Sequence, residues 1–423
     1  MRETGQSGFP CGIMERIVLI YSKKPQVISM KLNNRPSDRF DWTLAFILLL
    51  FLIVSAVAIA SAQTTGQYNH KNFVPSQIQW YAVGAVIIAV MMYFDPDQYK
   101  KAAWIIYGAG VFSLFLLYVL PGSMALVAPR NNAKSWFHLP IGDIQPAEFM
   151  KTFYIIGAAR LMTLHNEKYQ LRTLKTDLML LLKLGAVMAL PLFFIFKQPD
   201  LGTSLVFLAI TAALVLVSGI SWKILAPLFA GTAVIGGVVI WMALYMQEFL
   251  VKTLGFHQYQ FARVYSWLDP YAYPTDEGRH LITSLNAIGS GQISGKGFMG
   301  REVYVPESHT DFIFSVIAED WGFIGASVVI SLYFILIYHL TKTTLQLKDP
   351  FSTYVCAGII AMITFHVFQN IGMTIQVLPI TGIPLPLISY GGSSIMGNML
   401  ALGLVFSMKF HHRTYMFSTD QDD

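Results

Sequence analysis

A chain of 423 residues with 54% hydrophobic side chains, 13% charged side chains and a mean hydropathy of +0.52 carries about half the charge of an ordinary soluble domain. That composition excludes a soluble or disordered protein and points to an all-α polytopic membrane protein. The net charge of +5 reflects basic loops against anionic lipid, so nucleic acid is given no weight as a partner.

Taken in chain order, residues 1–40 form a polar tail. Ile17 to Tyr21 is too short for a signal-peptide core, and Met14 and Met30 are alternative starts to Met1. A spanning helix needs about 20 apolar residues. Ten stretches qualify: 42–62, 77–94, 103–120, 146–164, 178–196, 201–219, 223–246, 311–338, 353–373 and 388–408. They do not alternate as barrel strands do, so helices are the expected spanning form. Residues 41–410 are read as one membrane domain and 411–423 as a second tail.

With the N-terminus inside, 18 of the 29 Lys and Arg residues fall in inside segments and 8 outside, and Lys151, Lys183 and Lys197 sit in or at the ends of helices. The positive-inside rule then makes both termini cytoplasmic. The largest outer loop, about 247–310, joins spans seven and eight. Two others cover about 121–145 and Thr374 to Leu387, the latter with Pro379, Pro384 and Pro386. Those prolines exclude a regular helix interior and predict an ordered or re-entrant segment. Cys11 and Cys356 imply no disulfide framework. The elaborated face, where function concentrates, is the outer one.

Val305-Pro306-Glu307-Ser308-His309-Thr310-Asp311 ends the large loop just before the eighth apolar run. An acid there is explained by helix capping and the dipole. It also suits a general base, which must be ionised near neutral pH. His309 reads as a loop hydrogen-bonding residue. Glu148 and Lys151, three apart at the outer end of the fourth span, share a face and can pair. Gln198-Pro199-Asp200-Leu201-Gly202 brings Asp200 to the same level. Ionisable groups at membrane depth cost about 2.5–3.5 kcal/mol each on insertion scales and are usually functional; a structural ion pair is the competing explanation. Lys183 reads as snorkelling. Glu319 and Asp320 either line the cavity or lock helix packing. The glycine-rich run Gly289 to Gly297 contains Lys296 but lacks the strand and the Ser/Thr of a nucleotide phosphate loop.

Six motifs together resemble the SEDS family of RodA, FtsW and SpoVE. They are Asn132-Ala133-Lys134-Ser135-Trp136, Gln145-Pro146-Ala147-Glu148-Phe149, Gln198 to Gly202, Ala287-Ile288-Gly289-Ser290-Gly291, Pro306 to Phe312, and Thr381 through Ser393 and Ser394. The resemblance runs from about 40 to 410 and is closer to RodA. It implies a ten-helix peptidoglycan glycosyltransferase in the bacterial cytoplasmic membrane, polymerising lipid II on the outer face during elongation. It also implies a class B penicillin-binding protein as partner. Asp311 takes the position of the family's essential aspartate, and Glu148 and Lys151 that of its acid–lysine pair. Ser135, Arg279-His280 and Asp320 depart from the usual residues at their positions.

The mechanism this implies has Asp311 accept the proton of the 4-hydroxyl of an acceptor lipid II sugar. That oxygen attacks the anomeric carbon of the growing strand with inversion, and undecaprenyl diphosphate leaves. General-base catalysis supplies about 10²–10⁴-fold, so positioning and charge must supply the rest. Lys151, Arg263 and Lys296 are the candidate cations for the leaving group. A divalent ion, Mg or Mn, on Asp200 or Glu148 is a further candidate. Lys134, His309 and Ser393 complete the substrate-binding or cavity set. The rival functions are a lipid II flippase, a division or sporulation polymerase of the FtsW or SpoVE type, and a cell-wall scaffold.

Overall fold

The computed structural model describes residues 39–65, 72–129, 134–140, 142–246, 258–273 and 277–412. The sequence features at Cys11, Met14, Met30, Lys71, Arg130, Asn132, Ala133, Lys252 and Arg413 lie outside the described residues, as do both tails beyond 39 and 412. The compact unit begins at Asp41.

Twelve helices are described. In order they are α1 Trp42–Ala62, α2 Val74–Tyr93, α3 Pro96–Val119, α4 Pro146–Lys168, α5 Leu174–Lys197 and α6 Leu201–Val217. There follow α7 Trp222–Tyr245, α8 Gln258–Leu268, α9 Glu277–Gly291, α10 Ile313–Gln346, α11 Pro350–Thr374 and α12 Gly392–Phe410. The starts follow ordinary capping chemistry. Asp41, Thr173, Asp200, Ser221 and Asp349 each accept an amide from the first turn, and α2, α3, α4 and α11 carry Pro in that turn. The segment expected as a plain outer loop at 121–145 also contains a hairpin, β1 Phe137–Leu139 paired antiparallel with β2 Gly142–Ile144.

Eight helices are long and apolar enough to cross a membrane: α1, α2, α3, α5, α7, α10, α11 and α12. The two other expected spans exist as helices of a different character. α6 has 17 residues, about 25 Å of helix. α4 has 23 but buries Glu148, Lys151, Thr152, Thr163 and His165, which lowers its hydropathy. α4 packs against α3, α11, α12, α5 and α6, and α11 also against α6 and α10. α7 buries Leu225 alone among its described side chains.

α10 corrects the expected boundary at 311. The helix starts at Ile313 with Phe312 as N-cap, so Asp311 lies one residue before the cap. Its first turns then break at Gly322 (φ 60°, ψ −155°). A Cβ there would lie 2.5 Å from Gly295 N and Ile293 O, so only glycine fits. The break frees carbonyls and amides that the glycine-rich run repairs. Lys296 N and Gly297 N donate to Glu319 O (3.0 Å) and Asp320 O (2.9 Å), while Phe323 N and Ile324 N donate to Gln292 O (2.9 Å) and Ile293 O (3.2 Å). This run therefore splices a broken helix.

A separate small core joins α9 to the chain around α10 and α11: Leu281, Ala287, Val305, Phe312, Met373 and Ile380 are buried together. Ser284 Oγ bonds Ser315 Oγ (2.7 Å) and donates to Thr374 O (2.8 Å). Trp267 and Gln376 exchange side-chain-to-backbone bonds, each 3.0 Å, which ties α8 to the chain beyond α11.

Candidate active site

The acid–lysine pair expected on the fourth span forms. Lys151 Nζ lies 2.9 Å from Glu148 Oε1, with side chains only 3% and 7% exposed. The i,i+3 spacing stacks them on one face of α4. The lysine reaches a third group that sequence reasoning did not single out, His366 of α11, whose Nε2 is 3.0 Å from Nζ. His366 is buried, and its Nδ1 has no hydrogen-bond partner among the described residues.

One turn further along α11 stands Asn370. Its Nδ2 donates to both Asp311 O and Ile383 O, each at 2.7 Å. That amide joins the chain just before α10 to the segment after α11. Ser389 Oγ donates to Thr310 O (2.6 Å) and Tyr390 N to His309 O (2.9 Å), adding two further ties. Gly382 lies against the Asp311 carboxyl, since a Cβ on it would be 3.4 Å from Oδ2.

The proline-containing segment expected to be ordered is ordered, with Ile383, Leu385, Leu387 and Ile388 buried. Buried non-helical backbone needs donors from the protein. They come from three helices. Ser55 Oγ of α1 donates to Ile388 O (2.7 Å), Gln77 Nε2 of α2 to Ser389 O (3.2 Å), Tyr81 of α2 to Leu387 O, and Tyr333 of α10 to Pro386 O.

Asp200 sits where the chain breaks between α5 and α6, and its carboxylate is already engaged. Oδ1 accepts from Thr203 N (2.9 Å), and Oδ2 from Thr203 Oγ1 (2.8 Å) and Gln145 Nε2 (3.2 Å). Gly202 is obligatory for a separate reason: a Cβ would lie 2.9 Å from Thr381 O and 2.8 Å from Ile383 Cγ1. Ser393 accepts from Gln145 N and donates to Asp143 O, both 3.0 Å, and so fastens the hairpin to α12. The metal reading does not fit this donor set. Three donors already point at Asp200, Glu148 Oε1 faces an ammonium, and no three His, Cys, Asp or Glu residues cluster among the described residues.

Comparisons with known proteins identify the family. The model of the FtsW/RodA/SpoVE family, described as a cell cycle protein, matches residues 38–414. The chain belongs to that family. Among its relatives it is 32% identical to the peptidoglycan glycosyltransferase MrdB of Escherichia coli (strain K12) over 90% of this chain and 98% of that one. It is 28% identical to the peptidoglycan glycosyltransferase RodA of Treponema pallidum (strain Nichols), covering 87% and 97%. The structure from a study of how a peptidoglycan synthase complex coordinates polymerization and crosslinking superposes with a TM-score of 0.69 at 25% identity, covering 88% and 97%. The rod shape determining protein RodA of Thermus thermophilus shares the fold, with a TM-score of 0.61 at 24% identity over 88% of this chain and 96% of that one.

Within this FtsW/RodA/SpoVE member the remaining candidate residues separate by what they touch. Lys134 donates to the terminal carbonyls of α3, Tyr118 O (3.2 Å) and Leu120 O. Lys296 lies 2.9 Å from Glu319 and 3.1 Å from Glu302. Burial works against its charge, but the two carboxylates outweigh burial and raise its pKa. It is thus committed to the loop rather than presented as an unengaged cation. Arg263 lies on α8, half-buried. His309 is stacked against Phe73 (4.8 Å between centroids, 22°) and tilted against Tyr390 (5.6 Å). Its burial lowers the imidazole pKa, opposed by Glu307. Lys183 lies 5.9 Å from the Tyr169 ring, in keeping with a snorkelling side chain. A groove of about 530 Å³ between α1 and α10, lined by Leu50, Val54, Phe323, Val328 and Ile335, contains no titratable group and is not this site.

Other buried polar atoms around α4 and α11 also have no partner among the described residues: Thr152 Oγ1, both ends of the Gln198 amide and Asn370 Oδ1. Native interiors leave few such atoms.

Proposed function

We propose that this chain is a peptidoglycan glycosyltransferase that polymerises lipid II, with Asp311 as its general base. One turn of α11 carries the argument. His366 meets the buried Glu148–Lys151 pair and Asn370 holds the main-chain carbonyl of Asp311, so a cation and the backbone that carries the proposed base are tied to points about 6 Å apart along one helix. A transfer with a diphosphate leaving group needs both a proton acceptor and a fixed positive charge.

In this reading Asp311 takes the proton of the acceptor sugar's 4-hydroxyl as that oxygen attacks the anomeric carbon of the growing strand. The bond to undecaprenyl diphosphate breaks, and Lys151 offsets the charge that develops on the departing oxygens. One displacement inverts the anomeric centre. Gly382 stands beside that carboxyl, where a Cβ would meet Oδ2 at 3.4 Å.

The rest of the assignment follows the basic loops and the relatives. We place both termini in the cytoplasm, count α4 and α6 among ten spans of a membrane domain covering 41–410, and set 1–40 and 411–423 as tails. Residues 247–310 then face outside, between the seventh and eighth spans. The partner is a class B penicillin-binding transpeptidase, supported by the peptidoglycan synthase complex among the structural neighbours. We assign the chain to elongation rather than division or sporulation on the run Ser315-Val316-Ile317-Ala318-Glu319, which resembles RodA. The deciding experiment is glycan-chain formation from purified lipid II by the full chain with its transpeptidase. Asp311→Asn should lower the rate by about 10²–10⁴-fold. Wild-type rates from that variant would remove the base assignment. Transbilayer movement of lipid II without polymer would favour the flippase instead.

A further inference from the structure

We propose that His366 is a positioning residue of this site, fixing the Lys151 ammonium through a single ring tautomer. The inference rests on the polymerase reading for its activity arm and on geometry alone for its spectroscopic arm.

A lysine ammonium only donates, so His366 Nε2, 3.0 Å from Nζ, presents its lone pair there. The ring proton is then on Nδ1, an assignment made from the hydrogen-bond network. Three things follow. Lys151 is gripped from two sides, by Glu148 on its own helix and by His366 across the α4–α11 contact. The lysine's rotamers are thereby reduced to one that spans two helices, which pre-arranges its charge. And the imidazole keeps a buried N–H donor, at an atom with no partner among the described residues, beside the cation that the leaving group requires. A histidine serving only as packing would not aim a ring nitrogen at an ammonium.

The test uses full-length protein in lipid nanodiscs, with ¹⁵N-labelled histidine and lipid II as the substrate probe. The His366 signals, identified by their loss in His366→Gln, should report a neutral ring protonated on Nδ1. Lys151→Met should shift them toward a tautomer mixture. In the polymerisation assay His366→Phe should lower kcat about 10²-fold with KM little changed. His366→Gln supplies an acceptor oxygen near the Nε2 position and should restore most of that loss. A ring protonated on Nε2, or signals indifferent to Lys151→Met, would overturn the contact whatever the activity. His366→Phe at wild-type kcat would overturn the positioning role. A wild-type protein that makes no polymer yet shows the Nδ1–H tautomer would sink the polymerase reading and leave the contact standing.

Discussion

Two glutamates are buried among the described residues, and they are held in opposite ways. Glu319, ahead of the break in α10, accepts from the amides of Glu302 (2.9 Å) and Val303 (3.0 Å), from Lys296 (2.9 Å) and from Arg301 (3.4 Å). Those four donors about match what a carboxylate can accept. Glu148 meets Lys151, and that lysine goes on to His366. Thr152, one turn along α4, carries a hydroxyl unbonded among the described residues. A saturated carboxylate anchors a loop, whereas one shared with a lysine that bridges to a second helix holds that lysine's charge in place. The identity of the residue type says nothing about which is which.

Four changes would break or sharpen that contrast. Glu319→Gln leaves Lys296 and Arg301 facing a neutral amide and should cost about 3–5 kcal/mol of stability, read from denaturant or thermal unfolding of the purified protein. A variant as stable as wild type would end the anchoring interpretation. Exchanging the other pair, Glu148→Lys with Lys151→Glu, keeps an ion pair three residues apart on α4. The swapped protein should melt near wild type yet polymerise lipid II about 10²-fold more slowly, because the cation has moved a turn away from His366. Full activity would reduce the pair to helix packing.

Asp200 provides an intermediate case. Its bonds to Thr203 are those of an N-cap, so Asp200→Ala should cost about 1 kcal/mol and Asp200→Asn should recover it. A stable Asp200→Asn protein without polymerase activity would return this residue to the substrate or metal ligands. The smallest effect concerns His309. Its folded pKa is lowered by burial, so as pH falls through about 6.5 the unfolded chain takes up the proton first and stability declines. His309→Phe keeps the ring stacked on Phe73 and should flatten that slope in unfolding measured between about pH 7.5 and about pH 5.5. Parallel profiles would show that other groups carry it.

Much of the architecture was legible because spanning helices announce themselves by length and hydropathy. The pairing of Glu148 with Lys151 followed from helical spacing, and the ordered proline segment from what proline forbids. The unread features share a cause: they depend on partners far away in sequence. His366 is a lone histidine in an apolar helix, and nothing local marks it as Lys151's neighbour 215 residues on. Gly322 lies in an apolar run, and its role as a break appears only when the 292–297 strand of chain lies beside it. Asp311 had every local mark of a cap, yet the helix begins past it, because Asn370 and Ser389 hold the preceding backbone in a different course.

The proline segment between α11 and α12 has a consequence for how errors spread. Its outline is cast by hydroxyls and an amide on helices that carry none of the proposed chemistry: Ser55, Gln77, Tyr81 and Tyr333. Gly382, against the Asp311 carboxyl, belongs to that casting. Removing a single phenol oxygen from Tyr333 would thus alter the shape around the proposed base while leaving every charge in the site where it was.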